Sequence, residues 1–359
     1  MDKQNNILKI CDLGIGYQSK RASNNILFDR INLTGNSGEL IALVGKNGIG
    51  KSTLLRNIIG LQEPIHGSVL FYDKPVKSYH RSEFAKLVSF VSTEIVNISN
   101  LKVFDLVALG RFPHTNWFGK LKPNDLMRST RALEMVGMSS YAKKNINEIS
   151  DGERQRVMIA RTLAQDTKII VLDEPTAFLD LPNKYEIVHL LNKLSKEENL
   201  PDGLSAEQAG KAGKTIIFST HDLNIAIQEA DKIWLMLDDE IIEGAPEDLI
   251  LNEILNKIFT NTNLSFDKLK GDFRMKRKHT EKIGLFGEGI YYTWTKKALE
   301  RLGYSVEKGN ESIKNIKIEF RNDSCKWTLI DGVKMEDFNS IYDLSIHLKI
   351  QTRLSIDRL

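Results

Sequence analysis

Short apolar runs alternate with segments of helical periodicity through the first 270 or so residues. Three runs are rich in β-branched residues and end in polar or glycine positions: "ELIALVG" at 39–45, "KIIVLDE" at 168–174 and "TIIFSTH" at 215–221. Continuous apolar runs of this length are typical of parallel strands buried on both faces. The pattern therefore predicts an α/β domain in which helices cover a largely parallel sheet.

Candidate catalytic and ligand-binding residues follow these predicted strands directly. In open α/β sheets, ligands bind beyond the carboxyl ends of the strands. We therefore expect Gly45, Asp173, Glu174 and His221 to lie along one edge of the sheet.

The first strand runs into "GKNGIGKS" at 45–52, and the segment "STLLRNIIG" that follows has helical character. This is the pattern G-x-x-x-x-G-K-[ST] of a phosphate-binding loop, in the strand-to-helix context that the motif requires. Gly45, Gly48 and Gly50 allow successive N–H groups to turn inward, and the helix dipole adds positive potential. The loop predicts a site for the phosphates of a nucleotide.

The other polar residues fit the roles that phosphate chemistry needs. Lys51 should reach the β- and γ-phosphates, and the Ser52 hydroxyl should bind Mg²⁺. Asp173 fits a metal-holding carboxylate, whereas Glu174 fits a general base acting on the attacking water. His221 could position the γ-phosphate, although an isolated histidine is more often a surface or core residue.

A second loop, "SDGERQR" at 150–156, opens another helix. Ser150 and Glu153 have the spacing of a capping box, in which each residue satisfies a free backbone N–H group of the other. Taken alone, the segment is an ordinary capped helix.

Together these segments resemble the nucleotide-binding subunit of ATP-binding-cassette (ABC) transporters over residues 7–270. The resemblance rests on the Walker A loop "GKNGIGKS", the signature "SDGERQ", the Walker B strand "IIVLDEP", the following "FLD" and the switch His221. It implies a P-loop NTPase cassette with a mixed sheet and a helical signature subdomain. It also implies hydrolysis of ATP with Mg²⁺.

In this family the signature loop of one copy closes over the ATP held by a second copy. The resemblance therefore implies a homodimer in which Ser150, Gly152 and Glu153 face the partner's nucleotide and Asp180 lies at the seam. It also implies further nucleotide contacts, which are Asn47, Thr53 and an adenine-stacking Tyr17. An isolated tyrosine such as Tyr17 is otherwise more often part of a core.

One position departs from the family pattern. The usual glutamine after the strand "LVSFV" is replaced by Thr93, with Glu94 beside it. A threonine hydroxyl can still bind metal or water, but its reach is shorter. The expectation is an active site with slower or differently coupled hydrolysis.

The stretch "LKVFDLVALGRFPHTNWFG" at 101–119 is similar to cassettes that serve ferric-siderophore, haem and vitamin B12 importers. This subdomain docks a multi-span membrane permease in the family, which itself works with a substrate-binding protein. The resemblance makes Arg111, Phe112, Trp117 and Phe118 candidate docking residues. The alternative, that these aromatic residues only pack the subdomain, remains open.

The rest of the chain adds a second domain. A charged stretch at 271–282 predicts a linker, and 283–359 predicts a small α+β domain with the order strand, helix, strand, strand, helix. A regulatory or dimer-stabilising role is the expectation for this domain.

Composition and charge indicate the cellular compartment in which we expect the protein to work. A net charge of +3 does not indicate binding to nucleic acid, and two cysteines are too few for a disulfide framework. No signal peptide or membrane span is apparent, so we expect a cytoplasmic protein held peripherally on the inner face of the cell membrane. The alternative is a soluble ABC-type ATPase that acts on a non-transport partner.

Overall fold

The computed structural model describes residues 6–17, 25–92, 100–196, 213–260, 262–276, 281–309, 314–321 and 324–356. The chain divides into two compact units, 1–260 and 261–359. The division falls ten residues before the predicted end of the first domain. No helix in the described ranges is long and apolar enough to cross a bilayer.

The first unit alternates strands and helices, as the apolar pattern predicts. Its strands are β1 Asn6–Tyr17, β2 Asn25–Asn36, β3 Leu40–Gly45, β4 His66–Phe71, β5 Lys74–Pro75, β6 Val88–Val91, β7 Ile169–Leu172, β8 Thr215–Thr220, β9 Lys232–Met236 and β10 Ile241–Gly244. Its α-helices are α1 Lys51–Ile58, α2 Arg81–Leu87, α3 Val103–Ala108, α4 Pro123–Met135, α5 Asp151–Gln165, α6 Leu181–Lys196, α7 Leu223–Glu229 and α8 Pro246–Leu251.

The central sheet of this unit has six strands in the order β10-β9-β3-β8-β7-β6. All neighbours pair in parallel except β10, which is antiparallel to β9. Every residue of β3, β7 and β8 is buried. These strands are largely apolar because helices and a second sheet cover both of their faces. The predicted mixed sheet is confirmed.

The second sheet is antiparallel and has the order β2-β1-β4-β5. Its strands β1 and β2 are each 12 residues long. Leu8 of β1, Leu33 of β2 and Phe71 of β4 share a core with Leu43 and Trp234 of the central sheet. The helices α3, α4 and α5 form a separate helical subdomain, in which α4 and α3 both pack on α5.

The second unit contains β11 Leu264–Asp267, β12 Asp272–Met275, β13 Glu281–Phe286, β14 Tyr304–Lys308, β15 Lys314–Arg321, β16 Ser324–Asp331 and β17 Lys334–Phe338, with helices α9 Gly289–Leu302 and α10 Ile341–Ile356. The five-stranded sheet has the order β14-β13-β15-β16-β17. The strands β14 and β17 are absent from the predicted order because both are short edge strands with little alternation.

The predicted linker contains regular structure. The strands β11 and β12 pair as an antiparallel hairpin, and the rings of Phe266 and Phe273 pack edge to face with centroids 5.1 Å apart. The charged composition of 271–282 hid this hairpin, whose apolar cross-strand pairs are Leu264 with Met275 and Phe266 with Phe273.

Candidate nucleotide-binding site

The glycine-rich loop between β3 and α1 forms a concave turn. Gly48 has φ of 77° and Gly50 has φ of 120°, which are left-handed values that glycine adopts without strain. A Cβ atom at Gly48 would meet nothing within 4 Å, and Asn47 beside it is exposed. The loop is therefore an open cradle at the start of a helix, as phosphate binding requires.

Lys51 lies at the centre of this cradle and is only 4% exposed. Its ammonium group donates to the carbonyl oxygens of Gly45 at 3.0 Å and Lys46 at 3.2 Å, and lies 3.6 Å from Glu174 Oε1. A buried cation facing mainly carbonyl oxygens is incompletely neutralised. It is therefore ready to bind an anionic phosphate.

Asp173 and Glu174 directly follow β7 and share one partner, Ser219 of β8. The buried Ser219 hydroxyl donates to Asp173 Oδ1 at 2.6 Å and accepts from the Glu174 backbone N–H at 2.8 Å. Glu174 has φ of 46°, a strained value for a residue with a side chain. One hydroxyl therefore fixes both the carboxylate predicted to hold metal and the backbone of the predicted base.

Ser219 is not among the residues predicted from sequence motifs, although its place in the strand register carries a signal. Leu172 of β7 pairs with Phe218 of β8. The next residues along the two strands, Asp173 and Ser219, therefore lie side by side. A polar residue at that register, between two buried strands, needs a hydrogen-bond partner.

His221 lies at the end of β8, as predicted. Its Nδ1 atom is 3.8 Å from Glu174 Oε2, and its side chain is half exposed. Glu174 is thus flanked by Lys51 on one oxygen and His221 on the other. The structure brings together Gly45, Lys51, Asp173, Glu174 and His221, which confirms the expected edge of the sheet.

Tyr17 and Thr53 also meet at this site. Tyr17 is 55% exposed at the end of β1, and its hydroxyl lies 3.4 Å from Thr53 Oγ1 in α1. An exposed ring beside the phosphate loop fits a base-stacking role and argues against a core role. Ser52, the residue between the buried Lys51 and Thr53, is partly exposed. Thr93 lies outside the described residues.

The signature segment has the predicted capping box. Ser150 is the N-cap of α5, its hydroxyl accepts from the Glu153 N–H at 3.3 Å, and Glu153 Oε2 accepts from the Ser150 N–H at 2.8 Å. Hydrogen bonds from the Ser150 N–H and then from Tyr141 lower the pKa of Glu153 below its usual value. The cap therefore holds a charged carboxylate and an ordered hydroxyl at a helix start.

Ser150, Gly152 and Glu153 line one concave surface together with Asp180 and Asn183. Asp180 caps the start of α6 by accepting from the Asn183 N–H at 3.2 Å. Arg156 of α5 donates to Asn183 and to Glu186 and so ties the two helix starts together. Among the described residues that line this surface, none comes from the phosphate loop 45–53. The signature concavity and the phosphate loop are therefore lined by different residues of the chain.

The four candidate docking residues divide into two groups. Phe112, Trp117 and Phe118 are 68%, 96% and 87% exposed, so they do not pack the helical subdomain. Arg111 is buried, with its Nε atom 2.9 Å from Asp125 Oδ1 and its Nη1 atom donating to the Ala164 carbonyl at 2.8 Å. The prediction that Arg111 contacts a partner is therefore wrong, because its guanidinium is used inside the subdomain.

Comparison with known proteins identifies the family. Residues 28–177 match the ABC transporter model, and residues 280–349 match the model of the iron ABC transporter C-terminal domain. The uncharacterized ABC transporter ATP-binding protein MJ0873 of Methanocaldococcus jannaschii is 36% identical over 78% of this chain and 90% of its own. The chain belongs to the ABC transporter ATP-binding proteins. It is therefore a nucleotide-binding cassette and an ATPase of the transport-coupled class.

Two further relatives of this cassette have names that state a cargo. The petrobactin import ATP-binding protein of Bacillus anthracis is 34% identical over 68% of this chain and 86% of its own. The iron(3+)-hydroxamate import ATP-binding protein of Bacillus subtilis is 34% identical over 71% of this chain and 88% of its own. Among solved structures, the dimeric bacterial cassette MJ0796 is similar, with a TM-score of 0.57, 27% identity and coverage of 67% of this chain and 98% of that one.

Proposed function

We propose that this cassette powers an importer whose cargo is an iron-siderophore, haem or cobalamin-type chelate. The observation that carries the proposal is the match of residues 280–349 to an iron-transporter C-terminal domain on the same chain as an ATP-binding cassette. The petrobactin and ferric hydroxamate importers among its relatives support the same class of cargo.

The assembly we propose contains two copies of the chain. The phosphate loop and the signature concavity are separate surfaces, so one chain supplies two unlike halves rather than one closed site. In a head-to-tail pair, Ser150 and Gly152 of one copy complete the phosphate loop of the other. A similar cassette is known as a dimer, which supports this arrangement.

The residues beside Lys51 fit Mg²⁺. Ser52 and Asp173 offer hard oxygen donors, and the Ser219 hydroxyl holds one Asp173 oxygen in place. No cluster of three or more His, Cys, Asp or Glu side chains suited to metal occurs among the described residues. Such sparse protein donors suit Mg²⁺, which keeps water and phosphate oxygens in its shell. When bound, Mg²⁺ would neutralise charge on the phosphates during transfer.

Hydrolysis then follows from the described side chains. Glu174 accepts a proton from water, whose oxygen forms a bond to the γ-phosphorus while the bond to the oxygen of ADP breaks. Lys51 stabilises the negative charge on the phosphate oxygens, and His221 positions the γ-phosphate and the Glu174 carboxylate. Tyr17 stacks on the adenine. ATP binding closes the two copies and so moves the permease, whereas hydrolysis and phosphate release reopen them.

We further propose that Phe112, Trp117 and Phe118 dock the permease. Three exposed aromatic residues within seven positions form an apolar surface on a loop that is otherwise polar, as expected for a partner site. The cassette would then work at the inner face of the cell membrane, where the permease meets the cytoplasm.

A growth and uptake experiment tests this function. Cells lacking the gene are complemented with wild-type protein, with Glu174→Gln or with Glu247→Gln, and grown with iron chelates, haem or cobalamin as the limiting nutrient. We expect Glu174→Gln to abolish uptake, since loss of a general base lowers turnover by at least about 100-fold. Glu247 is exposed in the first turn of α8, so its amide variant is the matched control.

Two results would overturn the proposal. Normal growth of the deletion strain on all three cargo classes would exclude this importer function. Recovery of the Glu174→Gln protein with a soluble partner, and with no membrane permease, would instead favour a non-transport ATPase.

A further inference from the structure

A cleft lies at the end of α5 that is opposite to the signature Ser150. Its lining comes from α4 in the helical subdomain, from the end of α5, from Leu194 of α6 and from Lys214, which directly precedes β8. The phosphate loop follows β3, which pairs in parallel with β8. Because Lys214 comes before its strand and the phosphate loop comes after its own, the cleft lies at the opposite edge of the central sheet from the nucleotide site.

The charged side chains of this cleft are mostly cationic. Arg128 and Arg131 lie one turn apart on the same face of α4, and Lys214 completes the set. Among the lining residues that the structure describes, Asp166 at the end of α5 is the only carboxylate. Its Oδ2 atom pairs with Arg128, and its Oδ1 atom lies 3.5 Å from the Lys214 ammonium. Arg131 forms no ion pair with any residue in the described ranges.

The negative charge within the cleft does not balance these cations. Three cationic side chains meet one carboxylate. The end of a helix such as α5 contributes roughly half a negative charge more. A positive excess of about one and a half charges therefore remains, and capping of α5 alone does not account for it.

Two of the cationic groups have also lost much of their solvation. Arg128 Nε is buried and has no hydrogen-bond partner among the described residues. Lys214 is only 18% exposed, and its ammonium donates to the Thr167 carbonyl oxygen at 2.6 Å. Burial lowers the pKa of Lys214 below its usual value, although the nearby Asp166 carboxylate opposes this effect. An anion that enters the cleft would replace the interactions with water that these groups have lost.

The size and charge of the cleft fit a phosphate group. Its volume is about 50 Å³, the space of about four water molecules, which admits a phosphate group but no nucleoside. A phosphate group carries nearly two negative charges at neutral pH and so matches the positive excess better than a carboxylate does. Guanidinium groups also donate paired hydrogen bonds to phosphate oxygens. The remaining lining is apolar, from Ala132, Met135 and Leu163, and suits a short carbon chain attached to the phosphate.

We propose that Arg128, Arg131 and Lys214 bind a phosphate group, either as inorganic phosphate or as the head of a small phosphate ester. The bound phosphate would join α4 of the helical subdomain to the core of the cassette. Helix α5 runs from this cleft to the signature cap over 15 residues, or about 22 Å. The ligand would therefore lie against the signature helix without touching the nucleotide. The site does not depend on the proposed importer function.

Calorimetric titration of the full chain tests this site. The nucleotide site is first saturated with ADP, because the phosphate loop also attracts phosphate. Inorganic phosphate and glycerol 3-phosphate are then titrated separately, with potassium chloride at equal ionic strength as the salt control. We expect one of the two to bind saturably with a dissociation constant of about 1 mM or lower, as is possible for a ligand of so few atoms.

Two variants should change the affinity in opposite directions. Arg131→Gln should weaken binding at least about tenfold, because it removes a charged hydrogen-bond donor. Asp166→Asn should tighten binding roughly fivefold, the effect in water of removing one like charge a few ångström from the ligand. Asparagine also tolerates the left-handed backbone of this residue, whose φ is 54°. Arg301→Gln, at an exposed arginine of α9 that does not line the cleft, is the matched control and should bind like wild type.

The two ligands identify the source of the phosphate group. Tighter binding of glycerol 3-phosphate assigns the site to an ester, and equal or tighter binding of inorganic phosphate assigns it to the free ion. Lack of saturable binding of both compounds would overturn the inference, as would equal affinity of wild type and Arg131→Gln. So would binding that Lys51→Gln abolishes and Arg131→Gln retains, since the phosphate would then occupy the nucleotide site. Melting temperatures well above that of the titration show that each variant is folded.

Discussion

Single side chains fix the chemistry of this cassette. Ser219 contributes one hydroxyl, yet that group orients the Asp173 carboxylate and holds the strained Glu174 backbone at 2.6 and 2.8 Å. Because the group is fully buried, nothing else can replace either bond without a rearrangement. The two carboxylates proposed for catalysis are therefore positioned by a buried residue of the neighbouring strand.

We expect Ser219→Ala to lower kcat by roughly 10- to 100-fold with little change in KM, since misplacement of catalytic groups by less than an ångström has effects of this size. Steady-state kinetics with a Mg²⁺ titration measures this change, and a higher Mg²⁺ requirement should accompany it. Binding of nucleotide without hydrolysis gives a readout independent of turnover.

The matched control is Ser89→Ala, which removes another buried strand hydroxyl, bonded to Thr167 Oγ1 at 2.7 Å. It should cost a similar amount of stability, about 1 kcal/mol, without the kinetic defect. Equal kinetics for the two variants would show that Ser219 only supports the fold.

At the scale of helices and strands, short polar contacts connect elements that the hydrophobic core alone does not align. In the antiparallel sheet, His66 of β4 bonds Asp29 of β2 across β1. The bond to Asp29, and then the backbone carbonyl of Asp12, raise the pKa of His66 above its usual 6.5. The positive charge on this ring therefore contributes to the alignment of the sheet.

The sign of the resulting pH dependence follows from that direction. A raised pKa in the folded state stabilises the protein fully below about pH 6.5, and the contribution is lost as the pH rises through the folded value. Urea unfolding of wild type and His66→Gln should therefore differ most near pH 5.5 and converge by about pH 9. Asp29→Asn should remove the pH dependence of this difference. A gap that widens with pH would contradict the assignment.

For the whole molecule, exposure decides which residues are available to partners. Within the motif "GRFPH", Arg111 is buried beside Asp125 whereas Phe112 next to it is 68% exposed. Trp117 and Phe118 are almost fully exposed, and so contribute little to folding. Their exposed apolar surface therefore supports the proposed docking to the permease.

The double variant Trp117→Ala, Phe118→Ala should change the free energy of unfolding by no more than about 0.5 kcal/mol, as is usual for surface positions. Basal ATPase activity of the isolated chain should also be unchanged. Cargo uptake in cells should fall at least about tenfold, because aromatic residues dominate interface energies. Leu269→Ala, at another highly exposed apolar residue, is the control. Normal uptake by the double variant would show that this surface does not dock the permease.

Much of this description could be predicted because it rests on local pattern. Each of the following features lies within one short stretch of sequence: the strand-to-helix loop 45–52, the capping box of Ser150 and Glu153, and the apolar runs that form β3, β7 and β8. The family, the mixed sheet and the gathering of Lys51, Glu174 and His221 followed from these segments. Short edge strands such as β14 and β17 could not be predicted, because their pairing depends on neighbours distant in sequence.

The sequence by itself determined the cassette, since phosphate binding and helix capping are properties of contiguous backbone with fixed side-chain spacing. Only the tertiary structure decided that Ser219 joins the two catalytic carboxylates and that Arg111 is enclosed while Phe112 is not. It alone put Leu299 of α9 and Leu344 of α10 in one core. Burial, register and shared faces arise when distant segments pack together, so no single stretch of sequence contains them.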